Sequence, residues 1–196
     1  TINAGTADIT LDQAASTFGA LALTGANVAV TENAATDLAA STVSGTLGVT
    51  STGAVTDSGT LAITGATTIS ASGHDITLDE AASTFGTLAL TGSNVAVTEN
   101  AAMDLGASTI GGTANFNSTS NVITDSGTLA ITGATTINAG TADIALDQAG
   151  LPELAWDGDS IAQDIKHAIR ERGFLVTMIA ERSWERRRLL QQKMRL

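Results

Sequence analysis

The sequence SGTLAITGATTI occupies residues 58–69 and returns unchanged at residues 126–137. Apolar side chains alternate with polar or small ones along it, and this period of two is typical of a half-buried strand. We therefore expect Leu61 and Ile63 to point into a core and Thr60 to point outward. Because the copy is faithful, we also expect one structural unit to be stacked on the next.

A longer repeat encloses this stretch. The sequence TINA at residues 1–4 is matched by TISA at 68–71 and by TINA at 136–139, so successive copies lie 67 and 68 residues apart. The sequence NVAVTEN at 27–33 returns unchanged at 94–100. Near-identical copies at a fixed period indicate a stacked repeat architecture.

Three kinds of short strand follow one another within the long repeat, separated by turn sequences rich in Gly, Thr, Ser and Asp. The first kind contains Leu21/Leu23, Leu47/Val49, Leu61/Ile63, Leu88/Leu90, Ala114/Phe116 and Leu129/Ile131. The second contains Val28/Val30, Val55, Ile69, Val95/Val97, Ile137 and Val122, near which the second copy has one extra residue. The third contains Ile9/Leu11, Leu38, Ile76/Leu78, Leu105 and Ile144/Leu146.

These strands predict an all-β fold over residues 1–149, a parallel β-helix rather than a β-sandwich. A sandwich needs strands that differ with position, whereas near-identical units suit coils that bury their inward side chains in continuous ladders. We expect about six to seven coils of ~4.8 Å each, with Phe18 and Phe85 filling a corner. The predicted inward ladder contains Leu21, Leu47, Leu61, Leu88, Ala114 and Leu129.

The charge of the chain divides it into two parts. Residues 1–150 contain 13 of the 20 acidic residues and no Lys or Arg, so their net charge is about −13. Such a surface repels polyanions, and we expect no binding of nucleic acid or of anionic membranes by the repeat. Cysteine is absent, which is compatible with export. No apolar run approaches the roughly 20 residues that span a membrane.

Residues 150–196 form a second predicted region, a short α-helical tail. All nine Lys and Arg residues lie here with seven acidic ones, so its net charge is about +2. One helix is predicted to start at Asp159 or Ser160 and to end before Gly173, and a second to cover residues 181–196. This basic tail is interpreted as a cap on the last coil, as an unrelated domain or as a junction.

The repeat resembles those of a known family. The segments DITLDEAASTFG at 75–86, LALTGSNV at 88–95, DLGAST at 104–109 and ITDSG at 123–127 are similar, in that order, to repeats of filamentous-haemagglutinin-like large bacterial exoproteins. The resemblance covers residues 1–149 and implies a right-handed parallel β-helix with an adhesive or structural role. It also implies export to the bacterial cell surface, with an outer-membrane secretion pore and a host or neighbouring cell surface as partners.

No group of residues predicts catalysis, a cofactor site or a metal site. Aspartates at strand ends could form a calcium-binding ladder, but the nonapeptide Gly-Gly-x-Gly-x-Asp is missing, and a role in ending strands and keeping the surface soluble is favoured. Glu32 and Glu99 are interpreted as turn residues, and the lone His74 as variation within the repeat. The aspartates concerned are Asp8, Asp12, Asp75, Asp79, Asp143 and Asp147.

The chain opens inside a repeat, so we expect it to be part of a longer protein. The favoured function is that of a non-catalytic section of a secreted or cell-surface adhesin-like exoprotein. One alternative is a polysaccharide-active enzyme using a carboxylate pair, and another is a spacer with no ligand. Ice binding would need flat rows of threonines, and the candidates are Thr60/Thr64, Thr87/Thr91 and Thr128/Thr132.

Overall fold

The computed structural model of the protein describes residues 1–146, where every regular element is a β-strand. Asp147 and the tail predicted at 150–196 lie outside the described residues. The described part of the chain has no helix with the length and hydrophobicity that a membrane crossing requires.

Within residues 1–146, twenty short strands make three sheets in which all pairs are parallel. Sheet 1 contains β1 (Ile2–Asn3), β3 (Leu23–Gly25), β6 (Ser41–Val43) and β9 (Leu61–Ile63). Sheet 2 contains β2 (Ile9–Leu11), β4 (Val28–Glu32), β7 (Leu47–Ser51), β10 (Thr67–Ser70), β12 (Thr87–Gly92), β14 (Met103–Leu105), β15 (Ser108–Ile110), β17 (Ile123–Asp125), β18 (Leu129–Ile131) and β20 (Ile144–Ala145). Sheet 3 contains β5 (Thr36–Leu38), β8 (Val55–Asp57), β11 (Ile76–Leu78), β13 (Val95–Glu99), β16 (Ala114–Ser118) and β19 (Thr135–Asn138).

Each strand pairs with the strands one turn below and one turn above it. In sheet 3, successive partners are Thr36, Val55, Ile76 and Val95, so a turn takes 19 to 21 residues. Stepping through sheet 2 from β2 to β20 requires seven such pairings. The described chain is therefore a parallel β-solenoid of about seven turns, which confirms the predicted fold class, and parallel strands stack at about 4.8 Å.

Alternation along each strand places the apolar side chains inside. Leu61 and Ile63 are 0% and 3% exposed, and Thr60 is exposed, as predicted. Phe85 is buried at a corner, and the partly buried Phe18 packs against the core. These inward side chains form one continuous core along the solenoid.

One inward residue was assigned to the wrong position by the sequence. Val122 is 42% exposed, whereas its neighbour Ile123 is 0% exposed and begins β17. A shift of one residue moves a side chain to the opposite face of a strand. The extra residue of the second long repeat therefore lies before Ile123, in the turn that contains Ser120, whose φ is 77°.

The long repeat and the turn of the solenoid are out of phase. Three turns above Thr36 lies Val95 at the start of β13. The repeat equivalent of Thr36 is Met103, which begins β14, the strand after β13. One long repeat thus spans three turns and about one third of a fourth, so equivalent segments lie on different sheets.

This phase makes the predicted single ladder wrong. Leu47 lies in sheet 2, Leu61 in sheet 1 and Ala114 in sheet 3. Residues stack because they are one turn apart, not because they share a place in the sequence pattern. A ladder observed in sheet 3 contains Val55, Ile76, Val95, Ala114 and Thr135.

The sequence did not predict β6 and β15. Each strand has one large apolar residue, Val43 or Ile110, too few to show alternation. Their other inward residues are the buried Ser41 and Ser108. The hydroxyl oxygens of these serines accept the backbone N–H of Leu23 and Leu90, both at 3.0 Å, and so satisfy buried donors of the turn below.

Candidate functional site

Exposed side chains join three successive turns at one corner of the solenoid. The backbone N–H and Nδ2 of Asn27 both donate to Asp8 Oδ1, at 2.9 and 3.0 Å. The Oδ1 of Asn27 accepts the backbone N–H and the hydroxyl of Thr46, at 3.0 and 3.1 Å. Asn27 thus connects the turn below to the turn above.

The second long repeat builds the same corner from Asp75, Asn94 and Thr113. The backbone N–H and Nδ2 of Asn94 donate to Asp75 Oδ1 at 3.0 and 2.9 Å. The backbone N–H and hydroxyl of Thr113 donate to Asn94 Oδ1, both at 3.0 Å. The hydrogen bonds from the backbone and side chain of Asn94 lower the pKa of Asp75. The repeated carboxylate is therefore used as an acceptor by the fold itself.

The strand-end aspartates do not stack into a ladder. Asp8 precedes β2 in sheet 2, whereas Asp75 precedes β11 in sheet 3, and more than three turns separate them. Asp143 precedes β20, and Asp147 lies outside the described residues. No three His or acidic side chains are grouped for a metal ion in the range 1–146.

The threonines considered for ice binding are also dispersed. Thr60 and Thr64 flank β9 in sheet 1, whereas Thr87 and Thr91 lie on β12 in sheet 2. His74 is exposed beside the turn before β11, and its backbone N–H donates to the Ala71 carbonyl at 2.8 Å. The structure brings none of these residues into one site.

The one strongly perturbed group that the structure describes is Glu99, the last residue of β13. Its side chain is 0% exposed, and Oε2 accepts the backbone N–H of Phe85 at 2.9 Å. Oε1 is buried without a hydrogen-bond partner in the described chain. Burial raises the pKa of Glu99 to about 8, against a smaller lowering by the Phe85 hydrogen bond. The neutral carboxyl is therefore the favoured form at neutral pH.

Glu32 repeats this geometry in the first long repeat. It is 0% exposed, its Oε1 accepts the backbone N–H of Phe18 at 2.6 Å, and its Oε2 is buried without a partner in the described chain. The prediction that these glutamates are turn residues is wrong. In the segment VAVTE the Glu continues the period of two set by the buried valines, and this alternation was the signal that it points inward.

Glu99 closes one end of a segment that we call the corner loop, residues 79–86, between β11 and β12. At the other end the backbone N–H groups of Asp79 and Glu80 donate to the two carboxyl oxygens of Asp57, at 2.9 and 3.3 Å. Asp57 is 8% exposed, and burial raises its pKa. Two buried carboxyls, one from the turn below and one from the turn above, thus hold the corner loop.

The middle of the corner loop follows the edge of sheet 1. The Thr84 N–H donates to the Leu61 carbonyl at 2.8 Å, and the Ile63 N–H donates to the Thr84 carbonyl at 2.9 Å. The buried Ser83 accepts the Leu61 N–H at 3.0 Å on its hydroxyl. The corner loop therefore continues the sheet 1 column where no regular strand is formed.

Two family models match the sequence. The model described as Repeats of unknown function (DUF5649) matches residues 25–91 and again residues 92–150, two units whose starting points are one long repeat apart. The model described as Protein of unknown function (DUF2590) matches residues 135–196, across the end of the repeat and the predicted tail. No curated protein and no solved structure matches the chain.

Proposed function

We propose that this chain, which belongs to the family of Repeats of unknown function (DUF5649), is a non-catalytic section of a secreted or cell-surface exoprotein that acts in adhesion or as a structural stalk. The observation that carries the proposal is the use of the repeated polar side chains. Asn27 and Asn94, with their aspartate and threonine partners, each join three turns of the solenoid. Side chains committed in this way stabilise a long stack of turns.

The phase of the repeat supports the stalk form of the proposal. Because each long repeat advances by three turns and about a third, equivalent side chains of successive repeats face different directions. A surface feature is thus distributed around the solenoid instead of being concentrated on one face. This suits an element that must be uniform along its length.

The finer features of the proposal come from the resemblance to haemagglutinin-like exoproteins. We propose a right-handed coil, in keeping with the handedness of nearly all parallel crossover connections. We also propose export through an outer-membrane pore. The acidic surface of the repeat, which has no Lys or Arg in residues 1–150, supports solubility outside the cell.

Protease treatment of intact source cells tests the location. If the protein is at the cell surface, external protease removes it while a cytoplasmic marker survives. Protection of the protein until the cells are lysed would overturn the proposal.

Cell attachment and pulling experiments then separate adhesion from a stalk role. Beads that carry the folded full chain are compared with beads that carry the chain coupled after unfolding. An adhesin makes only the folded beads attach to host or bacterial cells. A stalk gives equal attachment but resists unfolding when single molecules are stretched. Neither attachment nor mechanical resistance would contradict both forms of the proposal.

A further inference from the structure

We propose that Glu99 is a pH-sensitive latch on the corner loop: its neutral carboxyl holds the Phe85 end closed over the core, and its ionised form leaves the core and lets that end open. The inference is independent of the proposed location and role of the protein. It rests on the burial of Glu99, its single hydrogen bond and the unpartnered second oxygen.

The geometry makes the charge on Glu99 incompatible with the closed loop. Oε2 accepts one backbone N–H, from Phe85, and Oε1 is buried with no donor in the described chain. A buried carboxylate needs several donors or a cation to replace its lost hydration. Residues 1–146 contain no Lys or Arg that could supply the cation. Moving the carboxylate into water requires breaking its contact with the corner loop.

The neighbouring titratable groups do not offset this effect. The corner loop itself carries Asp79 and Glu80, both exposed, and Asp57 lies below it. Preceding the adjacent strand β11 are His74 and Asp75, both exposed. The other partner strand, β16, carries no titratable residue. The following strand β14 carries Asp104, which accepts the hydroxyls of Thr87 and Ser126 at 2.7 and 2.9 Å.

The direction of the pH effect follows from linkage. Burial raises the pKa of Glu99 from 4.5 to about 8, so between these values the closed state binds a proton that the open state does not. The stability that Glu99 gives to the closed loop is therefore complete below about pH 4.5 and is lost as the pH rises through about 8. Asp57 acts in the same direction, because burial raises its pKa as well.

Amide hydrogen exchange of the full chain tests the latch directly. After correction for intrinsic exchange, the protection of the Phe85 amide is expected to fall with rising pH by up to about ten-fold per pH unit between pH 5 and 8. Glu99→Gln keeps an acceptor but cannot ionise, so its protection is expected to be independent of pH. Glu80→Gln, the same substitution at an exposed position of the corner loop, should behave as the wild type.

The exchange experiment overturns the proposal if wild-type protection does not change with pH, or if Glu99→Gln changes as the wild type does. Carbon-13 titration of the glutamate carboxyls decides the point even if Glu99→Gln does not fold. Of the seven glutamates in the chain, one is expected to titrate near pH 8. Titration of all seven below about pH 6 would show that the carboxyl is not buried in neutral form.

Discussion

Val28 and Val95 occupy the same place in the long repeat but lie in different sheets. Val28 pairs with Ile9 and Leu47 in sheet 2, whereas Val95 pairs with Ile76 and Ala114 in sheet 3. The 67 residues between them make three turns and about a third of another. Which side chains stack is therefore decided by the length of the turn and not by the repeat.

Engineered disulfides distinguish these two kinds of neighbour, because the chain has no cysteine of its own. Thr77 and Ala96 pair directly on β11 and β13, and adjacent parallel strands bring Cα atoms within the range of a disulfide. We expect Thr77→Cys/Ala96→Cys to cross-link on mild oxidation, as measured by a thiol assay and mass spectrometry. Thr10→Cys/Thr77→Cys joins repeat equivalents and should stay reduced within the monomer. Cross-linking of the second pair alone would contradict the observed phase.

A glycine stack at another corner should not tolerate a side chain. A Cβ atom at Gly65 would lie 2.5 Å from the carbonyl oxygen of Gly45 and 2.8 Å from its carbonyl carbon. Backbone atoms cannot move aside as a flexible side chain can, so we expect Gly65→Ala to cost about 1–3 kcal/mol of unfolding free energy. Chemical denaturation measures this loss.

Gly19→Ala is the matched control for Gly65→Ala. A Cβ atom there meets nothing within 4 Å, so its unfolding free energy should change by less than about 0.5 kcal/mol. Equal losses in the two variants would show that the close approach at Gly65 is not the cause.

The corner asparagines should contribute equally and independently. Asn94→Ala removes the side-chain hydrogen bonds to Asp75 and Thr113, and we expect a loss of about 1 kcal/mol. Asn27→Ala should cost a similar amount, and the losses should add in the double variant because the two corners share no partner. Urea unfolding of the three variants measures this additivity.

Asn115→Ala provides the control for the corner variants. Asn115 is exposed on β16, and its side chain makes no hydrogen bond within the described residues. Its substitution should leave the midpoint of unfolding nearly unchanged. A loss as large as that of Asn94→Ala would mean that the corner hydrogen bonds add nothing.

Ser120 adopts a φ of 77°, a backbone conformation in which glycine is less strained. We expect Ser120→Gly to raise the unfolding free energy, by up to about 1 kcal/mol after its cost in the unfolded chain is subtracted. Thermal unfolding checks the sign. Ser120→Ala retains the Cβ atom and should give no increase, so equal stabilisation by both variants would assign the gain to the loss of the hydroxyl.

Much of the fold could be predicted from period-two alternation, because a strand shows its inward face in its own sequence. Leu61 and Ile63 are examples. The method failed where the local signal was weak or misplaced: β6 and β15 have a single large apolar residue each, and an inserted residue moved the inward position from Val122 to Ile123. The latch residue Glu99 was missed because a charged residue at a strand end was interpreted as exposed.

The sequence by itself determined that this chain stacks β-strands in near-identical units, since alternation and turn residues are local properties. It also determined the acidic, cation-free character of the repeat. Only the tertiary structure decided which residues stack, because stacking depends on a turn of 19 to 21 residues that does not divide the 67-residue repeat. The same is true of Glu99, whose neutral form follows from the turns and the corner loop that exclude water from it.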